Sequence, residues 1–109
     1  MNYATFIVKL INPPNQVILD KDIRLTEVFA LISTKFKKQK RKKAIVKLAA
    51  WGELSDVLLK YYQKDDLLVI DGIVSFRDNI PETQKNFKSV EITLASFYPY
   101  QMNGSKTNT

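Results

Sequence analysis

The stretch Ala44-Ile45-Val46-Lys47-Leu48-Ala49-Ala50-Trp51-Gly52-Glu53-Leu54-Ser55-Asp56-Val57-Leu58-Leu59-Lys60-Tyr61-Tyr62-Gln63-Lys64 changes its period at the glycine. Up to Trp51 it alternates as a strand does, with Val46, Leu48 and Ala50 on one face and Ile45, Lys47, Ala49 and Trp51 on the other. From Gly52 to Lys64 it reads as a helix, because Leu54, Val57, Leu58 and Tyr61 fall at i, i+3, i+4 and i+7 while Glu53, Asp56, Lys60 and Gln63 stay outside that stripe. The stripe is expected to be core. The strand face that joins Trp51 to Lys47 reads as a ligand face, its neighbours Lys47 and Ala49 not having the look of buried residues. A core position at a barrel end is the alternative for Trp51.

Working outward, strands flank this segment on both sides. Residues 3–11 carry Ala4, Phe6, Val8 and Leu10 on one face and a mixed set on the other. Asn12-Pro13-Pro14-Asn15 ends that strand, since neither proline can donate to a ladder. A short extended piece, Val17-Ile18-Leu19, runs into the turn Asp20-Lys21-Asp22, and a second long strand is expected over 23–36. Beyond the helix, Asp65-Asp66 turns the chain into a fourth strand over 67–77, whose internal Gly72 suggests a bulge or a tight bend, as barrel corners require. A loop over 78–86 leads to a fifth strand over 87–98, which Pro99 stops. The fold class is therefore all-β with one helix: a five-stranded OB-fold Greek-key barrel, the helix lying between strands three and four. Residues 1–100 form this single domain, and 101–109 are expected to be a flexible polar tail.

Composition narrows the chemistry. The chain has 109 residues, no Cys and no His, so thiol catalysis, disulfides, thiolate metal sites and the commonest general base are all unavailable. The carboxylate pairs Asp65-Asp66 and Asp20/Asp22 sit in turns, where Asp bonds its own backbone. The expectation is a protein that is not an enzyme and uses no metal or cofactor. No apolar run approaches the roughly 20 residues that cross a bilayer, and residues 1–5 enter a strand pattern without a leader. A secreted or membrane protein is not expected.

Charge is concentrated in one place. Between Lys35 and Lys43 stand Lys35, Lys37, Lys38, Lys40, Arg41, Lys42 and Lys43, interrupted only by Phe36 and Gln39. The formal net charge is +6, and without this run it would be −1, so the basicity is a local patch for a polyanion. Such runs also occur as solvated loop tips or nuclear addresses. The ring of Phe36 inside the run favours nucleic acid, because lysines for phosphates and a ring for a base is the combination that single-strand binders use.

Val46-Lys47-Leu48-Ala49-Ala50-Trp51-Gly52-Glu53-Leu54, Tyr61-Tyr62-Gln63-Lys64-Asp65-Asp66 and Val69-Ile70-Asp71-Gly72 together resemble the bacterial-type single-stranded DNA-binding protein (SSB) family, in particular its short plastid-encoded and cyanobacterial branch. In that family an aromatic-Gly pair ends strand three, a helix and a Lys-Gly-Asp-like turn follow, and strand four carries an acidic residue before a Gly. The match covers about residues 3–98. Pro13-Pro14 and Val28-Phe29-Ala30-Leu31 fit the upstream pattern more loosely.

The resemblance implies an OB barrel that coats single-stranded DNA without sequence preference and assembles as a homo-oligomer, dimer or tetramer. It implies that Trp51 and Phe36 stack bases, while Ile45 and Asn79 occupy positions where the family commonly stacks further rings. Phosphate contacts fall to Lys35, Lys37, Lys38, Lys40, Arg41, Lys42, Lys43, Lys47 and Arg77. Phe76 and Lys88 extend the groove, Phe76 being a core candidate first. The edge of strand one, long and apolar, is expected to pair across a symmetric interface. Residues 101–109 hold no Asp or Glu, so partner recruitment through an acidic tip is not expected. A degenerate interaction subunit of the primosomal N type and a single-stranded RNA binder remain as alternatives. The compartment is a plastid stroma or a bacterial cytoplasm.

Overall fold

Alternation along the first strand sets the inside of the molecule. In β1 (Tyr3–Leu10), Val8 and Leu10 are buried, Ala4 and Phe6 half-buried, and Tyr3, Thr5, Ile7 and Lys9 exposed, as the sequence requires. The structure is a computed structural model and describes residues 2–34, 42–78 and 88–100. After β1 come β2 (Asn15–Leu19), β3 (Ile23–Thr34), β4 (Lys42–Trp51), α1 (Glu53–Tyr61), β5 (Leu67–Asp78) and β6 (Lys88–Pro99). Neighbouring strands follow the order β1-β5-β6-β4-β3-β2, and β1 also pairs with β3, closing a five-stranded barrel with β2 attached outside it.

The short extended piece is thus a strand in its own right, longer than expected and fully paired with β3 from Asn15↔Glu27 to Leu19↔Ile23. Both β1 and β2 lie along the same edge of β3, since β1 takes Ala30–Ile32 and β2 takes Ile23–Glu27. They amount to one strand interrupted by Asn12-Pro13-Pro14. At the interruption the Ile11 N–H donates to the Phe29 carbonyl (2.9 Å), and the Asn12 side-chain oxygen accepts the Phe29 N–H (3.0 Å), so no ladder group of Phe29 is left unpaired. The hairpin turn has positive φ at Lys21 (48°) and Asp22 (71°), as a turn with the twist of its flanking strands requires.

The barrel core comprises Val8 and Leu10 of β1, Val28, Ala30 and Ile32 of β3, Val46, Leu48 and Ala50 of β4, Leu68 and Ile70 of β5, and Ile92 and Leu94 of β6. Leu58 of α1 closes one end. Burying each Leu or Ile of this set contributes about 1.5–3 kcal/mol. The β5–β6 register shifts between Asp71 and Gly72, whose partners are Ser96 and Leu94, so the bulge expected in β5 is carried by its partner strand, with Ala95 of β6 as the extra residue. On the outside of the bulge the Asp71 carboxylate accepts from Thr5 Oγ1 of β1 (2.5 Å) and Ser96 Oγ of β6 (3.0 Å), tying three strands together.

The helix is shorter than its stripe suggested. Tyr62 is extended (φ −125°, ψ 151°), and beyond it Asp66 takes the Gln63 N–H on its side chain (2.8 Å) and donates its own N–H to the Gln63 carbonyl (3.1 Å). That turn competes successfully with a further helical turn. The stripe is also corrected: Leu58 is buried and Leu54 half-buried, but Val57 and Tyr61 are exposed. The face that meets the barrel runs instead through Leu54, Ser55, Leu58 and Tyr62, with Tyr62 edge-on to Phe97 at 5.4 Å. Thr26 of β3 donates to the Ser55 carbonyl (3.0 Å) and shares a 2.6 Å hydroxyl contact with Ser55, so this buried polar pair is satisfied. Gly52 starts the helix with φ 63°, a conformation that favours glycine, and its N–H donates to the Arg24 carbonyl (3.0 Å).

Candidate nucleic-acid interface

The β3–β4 ladder decides which side chains share the outer face. Leu25 pairs with Trp51, Glu27 with Ala49, Phe29 with Lys47 and Leu31 with Ile45, and directly paired residues point the same way. Their neighbours Thr26, Val28 and Ala30 and their partners Ala50, Leu48 and Val46 fill the core. Trp51 is 45% exposed and stands with Lys47 on the outside, against a core position at the barrel end. Ile45, at 60% exposed, lies on the same face. Ala49 is a correction, because it is buried although it sits on this outer face; it is flanked in the ladders by Glu27 of β3 and Thr93 of β6, which cover its single methyl.

Lys47 and Trp51 are four residues apart along one strand, about 13 Å at 3.3 Å per residue. Lys47 is not a lone cation: its ammonium lies 3.2 Å from the Glu27 carboxylate, and its parallel partner in β6 is Glu91. A phosphate at Lys47 has to compete with carboxylate.

The remaining site residues read from the sequence divide in two. Lys42 and Lys43 open β4, paired with Thr34 and Ser33, and Arg77 lies in β5, paired with Ser89; their side chains fall outside the described set. Lys35, Phe36, Lys37, Lys38, Lys40, Arg41 and Asn79 lie outside the described residues altogether. The second strand ends at Thr34, so the described β3 does not reach Phe36. The Thr34↔Lys42 pairing nevertheless fixes the two strand ends between which residues 35–41 run. From Lys42 to Trp51, β4 covers about 30 Å, so Lys42 and Lys43 of the basic run stand at the opposite end of the ladder from the tryptophan. Phe76, offered as core, is 62% exposed; it pairs with Val90 on the core-side face of β5.

One residue of this face was missed. Phe29 is 43% exposed and lies directly across the ladder from Lys47. Its signal is present in the alternation Leu25, Glu27, Phe29, Leu31, which by itself reads only as an apolar strand. Beside it, where the Pro-Pro interruption lifts the chain away from β3, is a pocket of about 270 Å³ bordered by Asn12, Pro13, Asn15, Glu27, Phe29 and Lys47.

No family model matches the chain. It is 37% identical over 105 residues to a protein of Trieres chinensis named "putative single-stranded DNA-binding protein ycf41", covering 92% of this chain and 89% of that one. The chain belongs to the single-stranded DNA-binding protein family. Solved structures of SSB proteins share its fold at low identity. The small single-stranded DNA-binding protein of Streptomyces coelicolor matches with a TM-score of 0.76 at 12% identity, covering 95% of this chain and 96% of that one. The SSB of Plasmodium falciparum in complex with single-stranded DNA matches with a TM-score of 0.76 at 14% identity, over 93% and 96%. The SSB domain of a Synechococcus protein gives a TM-score of 0.66 at 15% identity, over 90% and 94%. The five-stranded closed barrel with its helix between the third and fourth barrel strands is the OB fold of these SSB proteins.

Proposed function

We propose that this protein binds single-stranded DNA without sequence preference and protects it during replication, recombination and repair, acting by binding and not by catalysis. The observation that carries this reading is the outer face of the β3–β4 ladder, which presents Trp51 at one end and leads to the basic run at the other. Rings stack bases of any identity and lysines neutralise phosphates, so the arrangement is sequence-tolerant. The family of the relative supports the choice of nucleic acid.

The assembly on this reading is a homo-oligomer, a dimer or tetramer joined through β1. One edge of β1 pairs with β5 from Tyr3 to Lys9, but the other meets β3 only from Val8 to Leu10. Among the described residues no strand lies along the second edge of Tyr3–Ile7. A second copy of β1 would cover it. A compact monomer at micromolar concentration in sedimentation overturns this part. The place of action is a plastid stroma or a bacterial cytoplasm, a reading supported by the name of the relative; among the described residues no helix is long and apolar enough to cross a membrane.

Titration of Trp51 fluorescence with oligo-dT, at low and high salt and with an oligo-U competitor, tests the function. Quenching with a steep salt slope is the expected result, and effective competition by oligo-U moves the protein to RNA. Absence of quenching and of binding at low salt leaves an interaction subunit as the better reading.

A further inference from the structure

We infer that Phe29 and the pocket beside it form a base-binding site midway along the strand path, one ring stacking on Phe29 with its edge toward Glu27, Lys47 and the two asparagines. The inference deepens the nucleic-acid reading and rests on it. It stands on three features of the molecule. First, Phe29 is a bulky ring held on the outer face of a central barrel strand, with both its backbone groups fixed by Ile11 and Asn12, so its position is set before any ligand arrives. A ring of this kind is a stacking platform for any base.

Second, a pocket of about 270 Å³ lies where Pro13 and Pro14 interrupt the ladder, between Asn12, Pro13 and Asn15 on one side and Glu27, Phe29 and Lys47 on the other. Its border is polar where an extended base would present its edge. The Asn12 oxygen is engaged by the Phe29 N–H, which directs the donor half of that amide away from β3. Glu27 supplies a carboxylate acceptor and Lys47 an ammonium donor 3.2 Å from it. The pairing edge of every base sets donors beside acceptors, so this border satisfies any of them without choosing one.

Third, charge decides which part of a nucleotide enters. The Glu27–Lys47 ion pair leaves the pocket close to neutral, and a carboxylate at its rim repels phosphate. The pocket therefore takes the base and leaves the backbone to the basic end of the ladder. A third platform between the two aromatic positions read from the sequence offsets part of what is lost at Ile45, which offers no ring.

The test moves the only tryptophan of the chain. In the double variant Trp51→Phe with Phe29→Trp, every ring position is kept and position 29 becomes the sole indole reporter. Addition of oligo-dT is expected to quench its fluorescence, while the anisotropy of a labelled oligonucleotide establishes independently that the variant is bound. Phe29→Leu, which keeps apolar bulk and removes the ring, is expected to weaken binding roughly 5- to 150-fold with an unchanged salt slope, because no phosphate contact is lost. Binding by anisotropy without quenching at position 29, or Phe29→Leu binding as the parent does, overturns the inference. Absence of binding by the parent protein overturns instead the reading on which it rests.

Discussion

Gly72 of β5 lies against Thr93 of β6 so closely that a Cβ at position 72 would collide with the Thr93 carbonyl oxygen and stand 2.7 Å from Ile92 Cγ2. The contact is backbone on one side, so no rotamer change relieves it. Gly72→Ala is expected to destabilise the protein by about 1–3 kcal/mol through overpacking. The midpoint of urea unfolding measures this, and a midpoint equal to that of the parent would show that the bulge relaxes around a methyl group.

Glu27 and Lys47 make the second prediction. Glu27→Gln removes the carboxylate that competes with phosphate at Lys47. Affinity for oligo-dT is expected to rise at low salt, and the slope of log K against log salt to steepen by about 0.7, the value for one phosphate contact on a single strand. Lys47→Ala is expected to leave the salt slope unchanged, because the cation is already paired with Glu27 and makes no phosphate contact. A shallower slope on Lys47→Ala would mean that the lysine leaves Glu27 for a phosphate.

Thr26 and Ser55 join β3 to the first turn of α1, and both are fully buried. Thr26→Val keeps the shape, takes its donor from the Ser55 carbonyl and leaves the Ser55 hydroxyl without the acceptor it faces. The expected cost is about 1–3 kcal/mol, read as a lower unfolding midpoint. An undiminished midpoint would show that Gln16, which donates to Ser55 Oγ at 3.0 Å, is sufficient.

A pH effect follows from the neighbouring clamp. Hydrogen bonds from Arg24 first and Gln16 second hold the Asp56 carboxyl below its ordinary value of 3.8. A carboxyl lowered in the folded state adds stability above its unfolded pKa and loses it as pH falls through the folded value. Asp56→Asn is therefore expected to be less stable than the parent near neutral pH, with the difference closing as acid is added below the ordinary value. A difference that stays constant on acidification would show that the charge of Asp56 is not what fastens α1 to the β2–β3 hairpin.

Much of this architecture was legible because it obeys simple periods. Val46, Leu48 and Ala50 are buried by alternation, and an irregularity at Gly72 was readable because only glycine suits so close an approach, although the extra residue, Ala95, lies on β6. The β2 strand was underrated since Asn15 and Gln16 carry no apolar signal; its pairing comes from the adjacent hairpin turn. The helix stripe misled at Val57 and Tyr61 because the barrel end offers a narrow patch, and Ser55, chosen by Thr26, takes a place that hydrophobicity assigned to its neighbours. At the site, Trp51 and Lys47 were found from their shared face. Phe29 was hidden because an aromatic in an apolar strand looks the same whether it points in or out, until the register with Lys47 is known.

The parallel join between β4 and β6 spans only Lys47↔Glu91 to Ala49↔Thr93, and it brings together segments more distant in sequence than the β3–β4 or β5–β6 hairpins. Local hairpins form before such a long loop closes, so this seam closes after the β3–β4 and β5–β6 hairpins. Lys47 belongs to the seam. A ligand lying across the outer face there would act as a clasp on the closed barrel, so saturation should raise the melting temperature and slow hydrogen exchange of the seam amides more than that of the β1–β5 ladder.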